Sequence, residues 1–150
     1  MMLHHKKLML PSLIVIAVSL FSGFGVQEQE NKVIQLLEDR AFILQQAYYG
    51  EIDFNEAEER LYQIETQPLL KEDLQSLRTT DFCEMDIVKK LEVKELQPKM
   101  TMFDHMSFQG KLLWYMEGVS GDYMYEGDYF ILLKSYSDQW KLSQFDFLEN

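Results

Sequence analysis

Between Gln27 and Thr80 apolar residues recur at every third or fourth position, whereas from Cys83 to Phe147 they recur at every second. These are the periods of a helix and of a half-buried strand. A chain that finishes its helices before starting its strands cannot wind the alternating strand–helix units of a parallel sheet. The expected class is therefore α+β, with about three helices packed on one face of a curved antiparallel sheet of about four strands.

The helical part divides at its punctuation. Gln27–Tyr49 carries one stripe through Val33, Ile34, Leu37, Ala41, Leu44 and Tyr48, and Gly50 suits the residue just past its end. The acidic start around Glu28 and Glu30 suits the positive end of the helix dipole. Asp53 with Glu56 three residues on resembles a capping box, opening a second helix whose inward residues are Phe54, Ala57, Leu61 and Ile64. Pro68 suits the first position of a third, with Leu70, Leu74 and Leu77 inward and an end near Thr79-Thr80.

The strands are read the same way. Cys83, Met85, Ile87, Leu91 and Val93 share one phase, although Val88-Lys89 inverts it once and Leu96 falls on the wet phase. Pro98-Lys99 reads as a turn. Met102, Met106, Phe108, Leu112, Trp114 and Met116 then alternate through a second strand, with an interruption expected near Gly110. After a loop at Gly118–Asp122 come a third strand, Tyr123–Tyr136, a tight turn at Ser137-Asp138 and a last strand, Gln139–Phe147. In that strand Trp140 and Leu142 take one phase and Phe145 and Phe147 the other, so a bulge is expected near Ser143-Gln144.

Ahead of all this lies Leu8–Val26, without a charge and preceded by His4-His5-Lys6-Lys7. As a helix it would span about 28 Å, close to one hydrocarbon thickness. A buried core helix of a cytosolic protein is the plain alternative, but the position, basic flank and length fit targeting better. That leaves two readings open: a retained transmembrane anchor, or a signal peptide cleaved among the small residues Ser22–Gly25. Both make residues 1–26 a targeting segment with the lysines cytoplasmic, and both place residues 27–150 outside as a single extracytoplasmic domain. If uncleaved, residues 8–26 hold the chain in the membrane; if cleaved, the domain is secreted.

The formal net charge is −11, and every one of the 25 acidic residues follows the targeting segment. Such a surface repels phosphate backbones and anionic head groups, so nucleic acid is not an expected partner. Cys83 is the only cysteine, which excludes an internal disulfide and leaves a buried thiol as the plainer reading against an intermolecular bridge.

The hairpin Tyr129–Leu133, Ser137-Asp138, Trp140-Lys141-Leu142 resembles the closing strands of the nuclear transport factor 2-like (SnoaL/cystatin-like cone) superfamily. That resemblance implies a helix-lined cone over residues 28–150. In plan alone, a short cytoplasmic start followed by one span and an outer domain is similar to membrane-anchored cones of conjugation and type IV secretion machines.

Chemistry is sparsely provided for. Two of the three histidines precede the apolar segment, leaving His105, whose neighbour Asp104 would point to the opposite face of a strand. Glu58-Glu59 and Glu72-Asp73 read as solvated helix faces. A calcium site among Asp122, Glu126 and Asp128, beside Tyr123 and Tyr125, stands against the plainer reading of a solvated hairpin end. The cone resemblance implies an acid–tyrosine pocket, for which Tyr115, Asp104 and Tyr129 are candidates, and Met102, Met106 and Met116 belong to the core or to that pocket's lining. No catalytic, cofactor or metal residue is assigned and no cofactor is expected. Two functions remain: a non-catalytic extracytoplasmic protein-interaction or envelope-assembly module with a protein partner at the cell envelope, or a cone whose pocket binds or converts a small apolar ligand.

Overall fold

The computed structural model describes the backbone of residues 3–80 and 86–149 and the side chains of residues 25, 27–80 and 86–149. The element order is α1 (Leu3–Tyr48), α2 (Phe54–Ile64), α3 (Leu69–Thr79), β1 (Ile87–Thr101), β2 (His105–Gly118), β3 (Gly121–Tyr136) and β4 (Gln139–Phe147). Three helices then four strands is the expected α+β order. Residues 1–34 form one unit, the first part of α1, where Gln27 donates to Asn31 one turn on. Among the described residues no helix is long and apolar enough to cross a membrane. The readings of Leu8–Val26 as anchor or signal, and of Cys83 as a buried thiol, fall outside the described side chains.

The second unit, residues 35–150, holds the rest. Asp53 caps α2 by accepting the Glu56 amide at 2.8 Å, one half of the expected capping box. The other half is missing because the Glu56 carboxylate pairs with Arg60 at 2.6 Å instead. Gly50 takes φ +69°, the left-handed conformation that ends a helix without a Cβ clash. Ile43, Ile52, Ala57, Leu61, Leu70 and Leu77 bury one another between the three helices.

The sheet is an antiparallel meander in the order β1-β2-β3-β4. The expected bulge in the last strand is present: Leu132 pairs with Gln144 and Leu133 with Leu142, leaving Ser143 over. That extra residue lets Leu142 and Phe145 face the helices together. β1 contains three such irregularities, at Val88/Lys90, Val93/Glu95 and Pro98/Met100. They account for the inverted Val88-Lys89 phase and for Leu96. Pro98 is not a turn: it sits in β1, opposite Phe108, and the chain reverses at residues 102–104, where the Met102 amide donates to the His105 carbonyl at 2.8 Å. An edge strand tolerates a proline because its outer amide has no ladder partner to lose. No interruption occurs at Gly110. β2 and β3 pair without a register shift, and a Cβ at Gly110 would lie 3.2 Å from Ile131 Cδ1 and 3.3 Å from Leu96 Cδ1.

The two outer edges end differently. β1 is open but kinked three times and studded with Lys89, Lys90, Glu92, Lys94, Glu95 and Lys99. Beside β4 runs the α2–α3 connection, where the Thr66 amide donates to the Leu142 carbonyl and Ser143 Oγ donates to the Gln67 carbonyl, both at 2.8 Å.

Candidate functional site

One face of the sheet carries Met106, Phe108, Leu112, Trp114 and Met116 from β2, and Tyr123, Tyr125, Tyr129, Ile131 and Leu133 from β3, by strict alternation. The helices cover only part of it. Met106, Phe108, Leu112, Ile131, Leu133 and Leu142 are at most 1% exposed, whereas Tyr123 and Tyr125 remain 45% and 44% exposed on the same face.

Where the covered part begins, a charged cluster is sealed inside. Arg40 of α1 grips Asp73 of α3 with two hydrogen bonds, from Nε and Nη2, both at 2.7 Å. Its Nε also lies 3.1 Å from Glu65 Oε1, at the end of α2. The Nε hydrogen goes to Asp73, and neither Glu65 oxygen has a hydrogen-bond partner among the described residues. Burial, and then the negative charge of Asp73, push the Glu65 carboxyl up to about 9 against the pull of Arg40. Glu65 is therefore a neutral acid at pH 7. Burial opposes the Arg40 charge, but the hydrogen bonds and negative charge of Asp73 outweigh it and hold the guanidinium more firmly protonated than usual.

Arg40 also stacks over Phe145, 5.1 Å from the ring centroid. Phe145 lies parallel to Tyr129 at 4.7 Å, and Trp114 Nε1 donates to the Tyr129 hydroxyl at 3.1 Å. Burial raises the Tyr129 phenol above its ordinary range, the Trp114 bond opposing it. Between α1 and the start of β1 this leaves a half-open cleft of about 150 Å³, walled by Leu44, Tyr48, Val88 and Trp114, with Arg40, Gln45 and Asp86 as polar members. Gln45 is fixed there by accepting the Val88 amide at 2.9 Å.

Beyond Trp114 the helices stop and a second, wider hollow of about 270 Å³ opens, lined by Trp114, Met116, Tyr123, Tyr125 and Tyr129. Phe147 flanks it, 6.2 Å from Tyr125 and 5.6 Å from Tyr129. Gly127 makes room for that ring: a Cβ there would come within 2.7 Å of Phe147 Cε2. At the rim Tyr123 donates its hydroxyl to the Asp86 carboxylate, which raises the phenol's pKa.

Several expected sites come apart. Asp73 is not on a solvated face; only Glu72 is, and Asp73 is buried with Arg40. Asp104 and His105 do meet, Oδ1 to Nδ1 at 2.7 Å, because Asp104 belongs to the reversal before β2 and escapes strand alternation. That bond holds the exposed Asp104 below the usual carboxylate range and lies at a hairpin tip. Tyr115, Asp104 and Tyr129 do not converge: Tyr115 faces away from the helices and donates to Glu92 at 3.1 Å. Asp122 is held by Lys89 at 2.7 Å, and among the described residues no three His, Cys, Asp or Glu side chains are grouped to hold a metal. Of the three methionines, Met106 is core, Met116 lines the outer hollow, and Met102 is exposed. Sequence reasoning missed the Arg40–Glu65–Asp73 cluster, although Arg40 stands three residues after Leu37 and four before Leu44, on the apolar stripe itself.

No protein-family model and no curated protein matches the sequence. Solved structures do. The intermembrane space region of chloroplast protein ARC6 superimposes with a TM-score of 0.52 at 10% identity, over 80% of this chain and 96% of that one. A protein described as a putative aromatic ring hydroxylase from Novosphingobium aromaticivorans gives 0.53 at 13% identity, over 82% and 91%. A single-residue variant of a protein of unknown function from Mycobacterium tuberculosis gives 0.52 at 12%, over 83% and 75%. The chain has the nuclear transport factor 2-like cone fold. At such identities the likeness extends to the fold alone.

Proposed function

We propose that this chain is a non-catalytic, extracytoplasmic protein-interaction module of the cell envelope, exported or anchored through Leu8–Val26. The observation that carries the reading is the state of the cone. Phe108, Met106, Leu112, Ile131 and Leu133 fill its interior. Among the described residues, the cleft beside them encloses about 150 Å³, short of the about 300–1,000 Å³ usual for small-molecule sites. Large rings are instead displayed on an open surface, as protein-binding surfaces display them. An intermembrane space region among the similar structures is one instance of this fold on the far side of a membrane, and supports that placement by analogy only.

The ligand reading retains one support. A neutral acid and a carboxylate, bridged by Arg40, lie behind a cleft whose size matches a single ring. It ranks second because Arg40 is committed to Asp73 and Glu65 is not among the residues lining the cleft.

Cross-linking in intact cells, with the full chain as bait, tests the first reading. Reproducible recovery of a protein neighbour in the envelope fraction is expected; no neighbour would sink it. Mass spectrometry of the mature N-terminus separates the two modes of attachment. A start near Val26 means a cleaved signal, and an intact Met1 means an anchor.

A further inference from the structure

The geometry points to the outer hollow as a receptor for a lysine or arginine side chain on the partner protein. This deepens the interaction reading and rests on it.

Four electron-rich rings, Trp114, Tyr123, Tyr125 and Tyr129, and the polarizable Met116 line an open space of about 270 Å³. Ring faces carry negative potential and attract organic cations, tryptophan and tyrosine most strongly. Next to it, at the mouth of the inner cleft, stands the carboxylate of Asp86, which accepts the hydroxyl of Tyr123 from the hollow's wall. Aromatic walls with a carboxylate beside them suit a cation, whereas an apolar side chain would gain nothing from Asp86. The surrounding charge points the same way, since the chain carries −11 and an approaching basic segment is drawn in.

Among the described residues no cation of the chain itself lines the hollow. Arg40, on the same face, is turned into the covered part and neutralised by Asp73. Lys89, near Asp86 in sequence, is held between Asp122 and Glu117. Arg40 over Phe145 is also an internal precedent, because this aromatic surface already accepts a guanidinium on one of its rings. Tyr123, Tyr125 and Phe147 stay 44% to 48% exposed, so the surface is available without any rearrangement.

The full chain in detergent solution, carrying Trp140→Phe so that Trp114 is its only tryptophan, reports on the hollow directly. Its fluorescence is titrated with a short Gly-spaced peptide containing one Lys and one Arg. The control peptide carries acetyl-lysine and citrulline instead. Saturable binding of the basic peptide is expected, about fivefold tighter than the control, the upper worth of one exposed cation–π contact. Tyr125→Leu is expected to remove that preference, and Asp86→Asn to weaken it several-fold. Phe147→Leu serves as a second ring variant should Tyr125→Leu lose its circular-dichroism signature.

Equal binding of both peptides would overturn the proposal in favour of an apolar occupant. Binding of choline without binding of the peptide would assign the hollow to a head group. A signal that depends on protein concentration alone would assign it to a second copy, and no response at millimolar peptide would leave it without a role. A protein neighbour recovered in cells alongside any of these results keeps the interaction reading and discards only the cation. Failure to recover a neighbour removes the broader reading whatever the peptides do.

Discussion

The two ends of the helix-facing sheet surface have the same alternation and opposite fates. Around Met106, Phe108, Ile131 and Leu133 every side chain is buried; around Trp114, Met116, Tyr123 and Tyr125 the surface is partly bare. Both ends read as a core pattern. The difference is composition: aliphatic residues with Met106 and Phe108 where the helices lie, and tyrosine and tryptophan with Met116 where they do not. An aliphatic side chain has nothing to offer water, whereas a tyrosine ring has a wet end. The apolar phase of a strand thus tells which face is inward, and its chemistry tells how far the cover extends.

The contrast breaks most visibly at the covered end. Phe108→Ala is expected to cost about 3–5 kcal/mol in denaturant unfolding, because the helices cannot collapse fully into the void. A cost below about 1 kcal/mol would mean that this end is as loosely covered as the other. Next comes the charged cluster beneath the same cover. Arg40→Ala strands Asp73 in a buried site and is expected to cost about 3 kcal/mol, while the paired change Arg40→Met with Asp73→Leu recovers most of it. A double variant no more stable than the single would show that Asp73 does not depend on Arg40.

Glu65 sharpens the comparison through pH. Its carboxyl sits well above the unfolded value, at about 9, so the folded state holds a proton that the unfolded chain releases above about pH 4.5. The stability it contributes is complete below that pH and drains away as pH rises toward 9. Glu65→Gln has no proton to lose. Relative to the variant, the natural chain is expected to lose stability steadily as pH rises across that window. Parallel unfolding free energies from pH 5 to pH 9 would contradict the assignment. At the bare end the effect should nearly vanish: Tyr125→Leu is expected to change stability by about 0.5 kcal/mol or less, as surface substitutions do. A loss several times larger would place Tyr125 in the core after all.

Most of the architecture was legible because it rests on period and punctuation. The helix–strand switch, Asp53, Gly50, the tight Ser137-Asp138 turn and the bulge at Ser143 all follow from local chemistry. The bulge was visible because Leu142 and Phe145 cannot share a face without an extra residue. Pro98 misled, since a proline in an edge strand and a proline in a turn look alike until the neighbouring strand is known. Asp104 misled for a related reason: one residue's shift in a strand's start decides whether alternation applies to it.

The charged cluster was half legible. Arg40 lies on the α1 stripe, and Asp73 lies between Leu70 and Leu77 on that of α3, so two charges of opposite sign stood at inward positions on different helices. What the sequence withholds is that the two helices bring those positions together, and that Glu65 joins them from the end of α2. The bare hollow was hidden for the opposite reason: its only local mark is the change from aliphatic to tyrosine and tryptophan residues, which alternation alone does not register.

The fate of the sheet's two edges bears on how the protein behaves in a crowd. Strand-to-strand stacking requires a straight run of free amides and carbonyls. On one side that run is broken by three bulges, a proline and a row of charges; on the other it is interrupted at Leu142 and Ser143, where residues 65–67 already bond to it. Copies of the chain therefore have no straight rail along which to zip together, so the protein should resist fibril formation. It keeps its aromatic face open without leaving its backbone open as well.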